Sequence, residues 1–216
     1  MALTIGIPIY PQFDTIDVAA PWDILSRVPR YAPNTAVELL LIAETCGLVL
    51  SGQGLQFQAT QTFADCPHLD VLLVPGTATL DSIIGKSPAY FDFLRDRGPK
   101  ATHVVGICTG AVLLAEVGLL DGHRATTHWG ALDRLRTYAK VAVVNGYPRS
   151  VESGNRFTTG GVSSSIDGTL RFVEILTGSA QAAKCIELEI QYHPHPPYAT
   201  GDPAIADFDT YSLVTS

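Results

Sequence analysis

Short, continuous apolar runs alternate with amphipathic segments along most of this chain. Continuous apolar runs are typical of strands buried on both faces, whereas apolar positions three and four residues apart are typical of helices that cover a sheet. On this pattern we predict strands over residues 3–9, 37–43, 70–75, 102–107, 141–144 and 156–159. Helices are predicted over 17–28, over 82–97 with a break near Ser87–Pro88, and over 111–117, 128–138, 166–176 and 180–190, together with a hairpin over 48–60. This alternation predicts an α/β fold with a doubly wound, mostly parallel sheet and helices on both faces.

The composition indicates a globular protein. Of the 216 residues, 46% are hydrophobic and 16% are charged, the reverse of the balance found in disordered chains. We predict a single domain over residues 1–216, with a Pro- and His-rich tail from about residue 193. The net charge of −7 disfavours nucleic acid and anionic membranes as partners. The first residues predict a strand rather than a signal peptide, and the four widely spaced cysteines indicate reduced thiols in the cytoplasm.

One cysteine stands where a predicted strand meets a predicted helix. Cys108 follows the apolar run 102–107 and directly precedes the helical pattern of 111–117. A turn of this kind holds a nucleophile above the sheet edge, and the new helix directs its free N–H groups at the sulfur. Both effects favour the reactive thiolate. The alternative is an inert, buried cysteine that packs as a small apolar residue.

Further candidates follow from the rule that the carboxyl ends of parallel strands meet at one edge of the sheet, where ligands bind. A cysteine nucleophile needs an acid/base group and N–H donors for the charge that develops during reaction. The loops that end the predicted strands supply Asp17, Gly76, Thr77, Thr109, and the pair Gly161 and Val162.

Several of these residues have structural readings as well. Asp17 is suited equally to capping a helix and to proton transfer. His128 could be the base of a Cys–His pair or pack beside Trp129 at a helix start, and the structural role is slightly favoured. His193 and His195 lack nearby ligand partners in the sequence, so no metal site is predicted.

The chain resembles the DJ-1/PfpI superfamily, and within it the isocyanide hydratase branch. The resemblance covers nearly the whole chain up to the Pro-rich tail. It rests on residues 14–23, 74–76, 107–110, 118–122, 125–129 and 159–162. The combination of Cys-Thr-Gly at 108–110 with Thr-Thr-His-Trp at 126–129 is the most specific of these motifs.

The resemblance implies a flavodoxin-like fold, a homodimer, a small-molecule substrate and no cofactor. It makes Cys108 the nucleophile and Asp17 its acid/base partner, in place of the glutamate found elsewhere in the superfamily, and it places Thr109 beside the substrate. Protease-type members have histidine directly after the cysteine, where this chain has Thr109. The hydratases read Pro-Gly-Gly where this chain has Pro-Gly-Thr, so Thr77 is expected to alter the oxyanion loop.

Hydration of an isocyanide, R–N≡C, to an N-substituted formamide is therefore the leading functional hypothesis. It calls for a narrow apolar pocket with a thiolate at its end. Two alternatives remain open at this point. The protein could bind ligands or sense oxidants through a thiol without turnover, or it could act on small carbonyl compounds or amides, as other superfamily members do.

Overall fold

A central sheet of seven strands organises the structure, a computed structural model that describes residues 2–205. The strands are β1 (Leu3–Pro8), β2 (Val37–Ala43), β3 (Gly47–Leu50), β4 (Gln56–Ala59), β5 (Gln61–Thr62), β6 (Val71–Val74), β7 (His103–Gly106), β8 (Arg124–Ala125), β9 (Ala142–Val143), β10 (Ser150–Ser153) and β11 (Arg156–Thr159). The α-helices are α1 (Thr15–Leu25), α2 (Val28–Tyr31), α3 (Pro88–Arg97), α4 (Gly110–Glu116), α5 (Leu132–Arg136), α6 (Ser164–Thr177) and α7 (Ala180–Glu189).

The strand order of the main sheet is β10-β11-β7-β6-β1-β2-β5. All neighbours are parallel except β10 and β11, which form an antiparallel edge. The chain thus runs outward from β1 in one direction and then in the other, which is the doubly wound arrangement. The predicted α/β fold is confirmed.

Both faces of the sheet are covered. All four residues of β6 are buried, although successive side chains of a strand point to opposite faces. Helix α6 packs against both α1 and α7, whereas α4 packs on β6 and β7 beside α5. Within residues 2–205, none of the helices is long and apolar enough to cross a membrane.

Helix α1 differs from its prediction in a way that matters for the site. It begins at Thr15 rather than Asp17, ends at Leu25, and carries Pro21 in its interior instead of its first turn. Asp14 is the N-cap, and its side chain accepts a hydrogen bond from the Ile16 N–H. Asp17 therefore lies inside the first turn and is free of the capping role.

Other predicted elements are shorter than expected. The helix predicted over 82–97 is interrupted at Ser87–Pro88, as expected: α3 begins at Pro88, and only a 3-10 turn over Leu80–Ser82 lies before the break. The segment 128–138 is a 3-10 turn followed by α5, and the strand predicted over 141–144 is β9, which pairs with β8 outside the main sheet. The hairpin over 48–60 is formed by β3 and β4. Strand β10 was not predicted. The predicted tail is irregular from residue 193 to 205, apart from one 3-10 turn over Ala199–Gly201, and its remainder lies outside the described residues.

Three adjacent central strands, β1, β6 and β7, end at the same edge of the sheet. The loops that follow them carry residues 9–14, 75–79 and 107–109, and they come into direct contact. The Asp14 N–H donates to the Gly76 carbonyl at 2.8 Å, and the Ile107 N–H donates to the Val74 carbonyl at 2.9 Å. The sheet topology alone therefore places the candidate residues of the sequence analysis side by side.

Candidate active site

Cys108 occupies a strained turn between β7 and α4. Its φ of 53° lies in the left-handed region, which non-glycine residues rarely adopt. Two threonine hydroxyls hold the backbone of this turn. The Cys108 N–H donates to Thr159 Oγ1 at 3.3 Å, and Thr127 Oγ1 donates to the Cys108 carbonyl at 2.8 Å. The predicted elbow is therefore present, and it is fixed by residues from β11 and from the Thr-Thr-His-Trp segment.

Asp17 is completely buried and points at the elbow. Its Oδ2 accepts the Gly76 N–H at 2.9 Å, and its carboxyl lies close enough to the Cys108 thiol for each group to shift the pKa of the other. Its Oδ1 is buried without a hydrogen-bond partner. The carboxyl group is thus held by one backbone donor beside the thiol, an arrangement suited to moving a proton between oxygen and sulfur.

The loop after β6 is clamped by Thr109. The Thr109 hydroxyl accepts the Thr77 N–H at 2.7 Å and donates to the Thr77 carbonyl at 2.7 Å. The N–H groups of Gly76 and Thr77 are therefore already donated to Asp17 and Thr109. The expectation that these two groups face a developing negative charge is wrong for this geometry, because their partners are side chains of the site itself.

Burial raises the pKa of both members of the central pair. Removal from water is the largest cause for the Cys108 thiol, and the Asp17 charge adds to it, while the Thr109 N–H acts in the opposite direction. Burial likewise raises the pKa of Asp17 well above its ordinary value, and the charge of Asp14 adds to it, against the Gly76 N–H and the thiol. The expected net lowering of the cysteine pKa is therefore reversed. At neutral pH the Cys108 thiol therefore keeps its proton, beside the Asp17 carboxyl.

A cleft of about 750 Å³ opens above the pair. Cys108, Thr109 and Thr77 lie at its base. Its remaining lining comes from four places: Asp14 beside α1, the 78–81 loop, the segment that carries His128, Gly130, Ala131 and Arg134, and Val162. This cleft is wider and more polar than the narrow apolar pocket expected from the sequence. No group of three or more His, Cys, Asp or Glu side chains within residues 2–205 is placed to hold a metal ion.

His128 lies on the wall of this cleft, so its role is not confined to packing beside Trp129. Its Nδ1 accepts the Gly130 N–H at 3.1 Å, which assigns the ring proton to Nε2. Burial lowers the pKa of the imidazole, which favours this neutral form. The ring sits against Gly161, where an added Cβ would lie 2.6 Å from His128 Cδ2. The predicted glycine turn thus makes room for the imidazole.

The structure divides the predicted site residues into two groups. Cys108, Asp17, Thr109, Gly76 and Thr77 form one connected network at the base of the cleft. Gly161 and Val162 belong instead to the wall, Gly161 beside His128 and Val162 on the cleft lining.

Sequence reasoning missed three residues that support the network. Thr127 and Thr159 hold the elbow, and Tyr10 donates its hydroxyl to the Pro75 carbonyl at 3.0 Å. Both threonines belong to segments that carry the family resemblance, 125–129 and 159–162. A search of these segments for hydroxyl groups near the Cys108 turn could therefore have found them. No sequence signal distinguishes Tyr10 from an ordinary buried aromatic residue.

Comparisons with known proteins agree with this arrangement. The sequence profile of the DJ-1/PfpI family matches residues 4–175. The chain is 37% identical over 206 residues to the isonitrile hydratase of Pseudomonas putida, covering 95% of this chain and 86% of that protein. It is 32% identical over 142 residues to the HTH-type transcriptional regulator CdhR of Pseudomonas aeruginosa, which covers 65% of this chain but only 41% of the regulator. A crystal structure of a ThiJ/PfpI family protein from Pseudomonas syringae superimposes with a TM-score of 0.85 at 28% identity, covering 100% of this chain and 87% of that one.

The clamp predicts that Thr109→Val destabilises the protein although valine is nearly the same size. The substitution leaves the buried Thr77 N–H and carbonyl without their partner, at a cost of roughly 2–4 kcal/mol for the two groups. Thr109→Ser keeps the hydroxyl and is the matched control, expected to lose less than about 1 kcal/mol. Denaturant unfolding of the three proteins measures the difference. Equal stability of the valine and serine variants would contradict the clamp.

Proposed function

This chain belongs to the DJ-1/PfpI family, and we propose that it is an enzyme that hydrates an isocyanide to an N-substituted formamide without a cofactor. The observation that carries the proposal is the buried Cys108–Asp17 pair, in which a nucleophile lies beside a carboxyl group that the Gly76 N–H holds in place. The similarity to the Pseudomonas putida isonitrile hydratase over 95% of the chain supports the choice of reaction.

The first step uses the proton that the pair retains. Transfer of this proton from sulfur to the Asp17 carboxylate generates a thiolate beside a carboxylic acid. The thiolate attacks the terminal carbon of R–N≡C and forms the S–C bond, and Asp17 donates its proton to the same carbon. The product is a thioimidate, R–N=CH–S–Cys108, beside an ionised Asp17.

The second step adds water. Asp17 takes a proton from a water molecule as the water oxygen bonds to the thioimidate carbon. Asp17 then gives this proton to the thioimidate nitrogen. The resulting adduct, R–NH–CH(OH)–S–Cys108, then gives its hydroxyl proton to Asp17 as the C–S bond breaks. The formamide R–NH–CHO leaves, and the thiolate and protonated Asp17 are restored, so the cycle consumes one isocyanide and one water.

The surrounding groups have supporting roles in this scheme. The Gly76 N–H holds the Asp17 carboxyl in line with the sulfur, and Thr109 fixes the loop that carries Gly76. The Nε2–H of His128, on the wall of the cleft, is a candidate donor to the substrate nitrogen. The volume and polar lining of the cleft favour an isocyanide whose R group is large or bears polar atoms.

The burial of Cys108 weighs against the thiol-sensor alternative. Sensor cysteines are exposed and have a lowered pKa, whereas Cys108 is 4% exposed and its pKa is raised by burial. Carbonyl or amide chemistry on the same pair stays an alternative outcome of a substrate panel.

We also propose that the protein forms a homodimer through the outer face of the β3–β4 hairpin. Leu48 and Leu50 alternate with half-buried neighbours on β3 and are 62% and 45% exposed, and Leu55 in the hairpin turn is 56% exposed. Three exposed leucines on one small hairpin are unusual for a surface that faces only water. The same hairpin contacts the site, because Gln53 accepts the Thr15 N–H and donates to Asp14.

Cys108→Ala is expected to abolish formamide production from a simple alkyl isocyanide, by about 10³-fold or more, because the variant has no sulfur to bond to carbon. Cys66→Ala, at a second buried cysteine, is the control and should keep full turnover. Formamide is quantified by chromatography, and folding is checked by circular dichroism. Substantial turnover by Cys108→Ala would contradict the covalent mechanism.

Asp17→Asn is expected to lose turnover by about 10²-fold or more, since the amide cannot carry the proton. It should also become relatively more stable than the parent as pH rises. Burial raises the folded-state pKa of Asp17 above its unfolded value of about 4, so its stabilising contribution is present below that pH and is lost as pH rises through the folded pKa. Asparagine has no such loss. The melting temperature of Asp17→Asn minus that of the parent is therefore expected to rise with pH across this range. A difference that stays constant or falls with rising pH would refute the assignment.

Leu48→Glu is expected to convert a dimer to a monomer, because a charge on the outer face of the hairpin would be buried against its symmetry mate. Sedimentation equilibrium of the parent and the variant measures the mass directly. A parent that is monomeric at all concentrations, or a variant that stays dimeric, would rule out this interface.

A further inference from the structure

We propose that Tyr10 is a positioning residue for the Asp17–Cys108 pair and that it acts through the peptide group between Pro75 and Gly76. The inference rests on the proposed role of Asp17 as the proton carrier. It adds a residue that touches neither the cysteine nor the cleft.

The argument begins with two hydrogen bonds to one peptide group. The Tyr10 hydroxyl donates to the Pro75 carbonyl oxygen at 3.0 Å. The N–H of the same peptide group belongs to Gly76 and donates to Asp17 Oδ2 at 2.9 Å. A donor at the carbonyl end polarises the amide and strengthens its N–H as a donor, most of all where water is excluded. Tyr10 is 4% exposed and Asp17 is 0% exposed, so water cannot replace either bond without rearrangement.

This chain of bonds also fixes a direction. Proline has no N–H, so residue 75 offers the loop a carbonyl but no donor of its own. The Tyr10 hydroxyl therefore holds the carbonyl end of the Pro75–Gly76 peptide plane, and its bond helps to aim the Gly76 N–H at the carboxyl group. Removing the hydroxyl frees the plane and weakens the bond to Asp17.

The consequence is a shift of the shared proton. The Gly76 N–H favours the ionised form of Asp17, which keeps the proton on the sulfur. A weaker bond moves the proton toward Asp17 and leaves more thiolate on Cys108. Asp14 is the other charged group that acts on this pair, and His128 across the cleft interacts with Asp14. Neither of them is hydrogen-bonded to Tyr10, whose hydroxyl donates to the Pro75 carbonyl.

Tyr90 is a matched control within the same cluster. It packs edge-on against Tyr10 with ring centroids 4.8 Å apart, and it is as deeply buried. Its hydroxyl also donates to a proline carbonyl, that of Pro8, at 3.4 Å. Pro8 ends β1 and its carbonyl is not part of the peptide group that binds Asp17, so loss of the Tyr90 hydroxyl disturbs the core without reaching the pair.

The experiment compares Tyr10→Phe with Tyr90→Phe by the pH dependence of Cys108 alkylation. Folded protein is pulsed with iodoacetamide, and each cysteine is quantified by peptide mass spectrometry, with exposed Cys46 as the internal reference. In Tyr10→Phe the midpoint for Cys108 is expected to move down by about 0.5–1 pH unit, a threefold to tenfold gain in thiolate at a fixed pH below the midpoint. Tyr90→Phe should leave the midpoint in place. Coincident profiles for the parent and Tyr10→Phe, or equal shifts in both variants, would overturn the proposal.

Two further measurements test the route and guard against a misfolded variant. In an Asp17→Asn background, Tyr10→Phe should no longer move the Cys108 midpoint, because the group through which it acts is gone. If Tyr10→Phe still moves the Cys108 midpoint in the Asp17→Asn background, Tyr10 does not act through Asp17. Replacing Tyr10 with 3-fluorotyrosine keeps the ring and strengthens the donor, so the midpoint should rise, and an unchanged or lowered midpoint counts against the proposal. None of these readouts uses an isocyanide. Failure of isocyanide turnover would therefore leave them intact, and failure of Asp17→Asn alone to move the midpoint would instead refute the pairing of Asp17 with Cys108.

Discussion

The close approach of the Pro75–Gly76–Thr77 loop to the elbow is the constraint on which the rest of the site depends. A Cβ at residue 76 would lie 2.5 Å from Thr109 Oγ1 and 2.9 Å from Asp17 Oδ2, so only glycine allows the two side chains to reach the loop backbone. At the start of α4, a Cβ on Gly110 would overlap the Val74 carbonyl oxygen. Two residues without side chains thus let β6 and the elbow touch, and their contact brings a carboxyl from α1 onto the cysteine.

Burial of Asp17 and Cys108 raises the pKa of both groups, although their positions at helix N-termini would lower it. Helix N-termini stabilise negative charge, and both Asp17 in α1 and Cys108 before α4 lie at such ends. The cost of removing both groups from water outweighs the stabilisation by the helix N-termini, because neither group has enough hydrogen-bond donors to replace water. In Asp17, Oδ2 accepts one backbone N–H, and Oδ1 is buried without a hydrogen-bond partner. The Cys108–Asp17 pair is therefore better described as a protonated pair than as a permanent thiolate. Such a proton is needed by a reaction in which sulfur attacks a carbon atom and the same carbon is protonated.

Much of the fold was predictable because its strands are buried on both faces. Continuous apolar runs identified β1, β2, β6 and β7 nearly to their ends, and β11 was predicted as a short strand before the Gly160–Gly161 turn. Strand β10 was not predicted because it is short and polar and lies at the edge of the sheet, where little burial is needed and no apolar pattern marks the strand. The sequence also brought Cys108, Asp17 and Thr109 to one sheet edge through topology. It could not give the direction of a hydrogen bond. The N–H groups of Gly76 and Thr77 were expected to face the substrate, and the structure turns them to Asp17 and Thr109, a choice made by side-chain packing between distant segments.

Thr77 bears on how far the resemblance to the hydratases extends. The hydratase pattern has glycine at this place, and a threonine there was expected to alter the oxyanion loop. The side chain is 2% exposed, and its hydroxyl donates to the Gln12 carbonyl at 2.7 Å. It therefore ties the loop after β6 to the loop after β1, which carries Asp14 at the cleft. The Thr77 N–H is donated to Thr109 and is not free to bind a substrate oxygen. A rigid backbone at residue 77 therefore holds the neighbouring Gly76 N–H on Asp17. Thr77 thus supports the loop that holds Asp17, and differences in substrate choice are better sought on the wall of the cleft, at Asp14, His128 and Arg134.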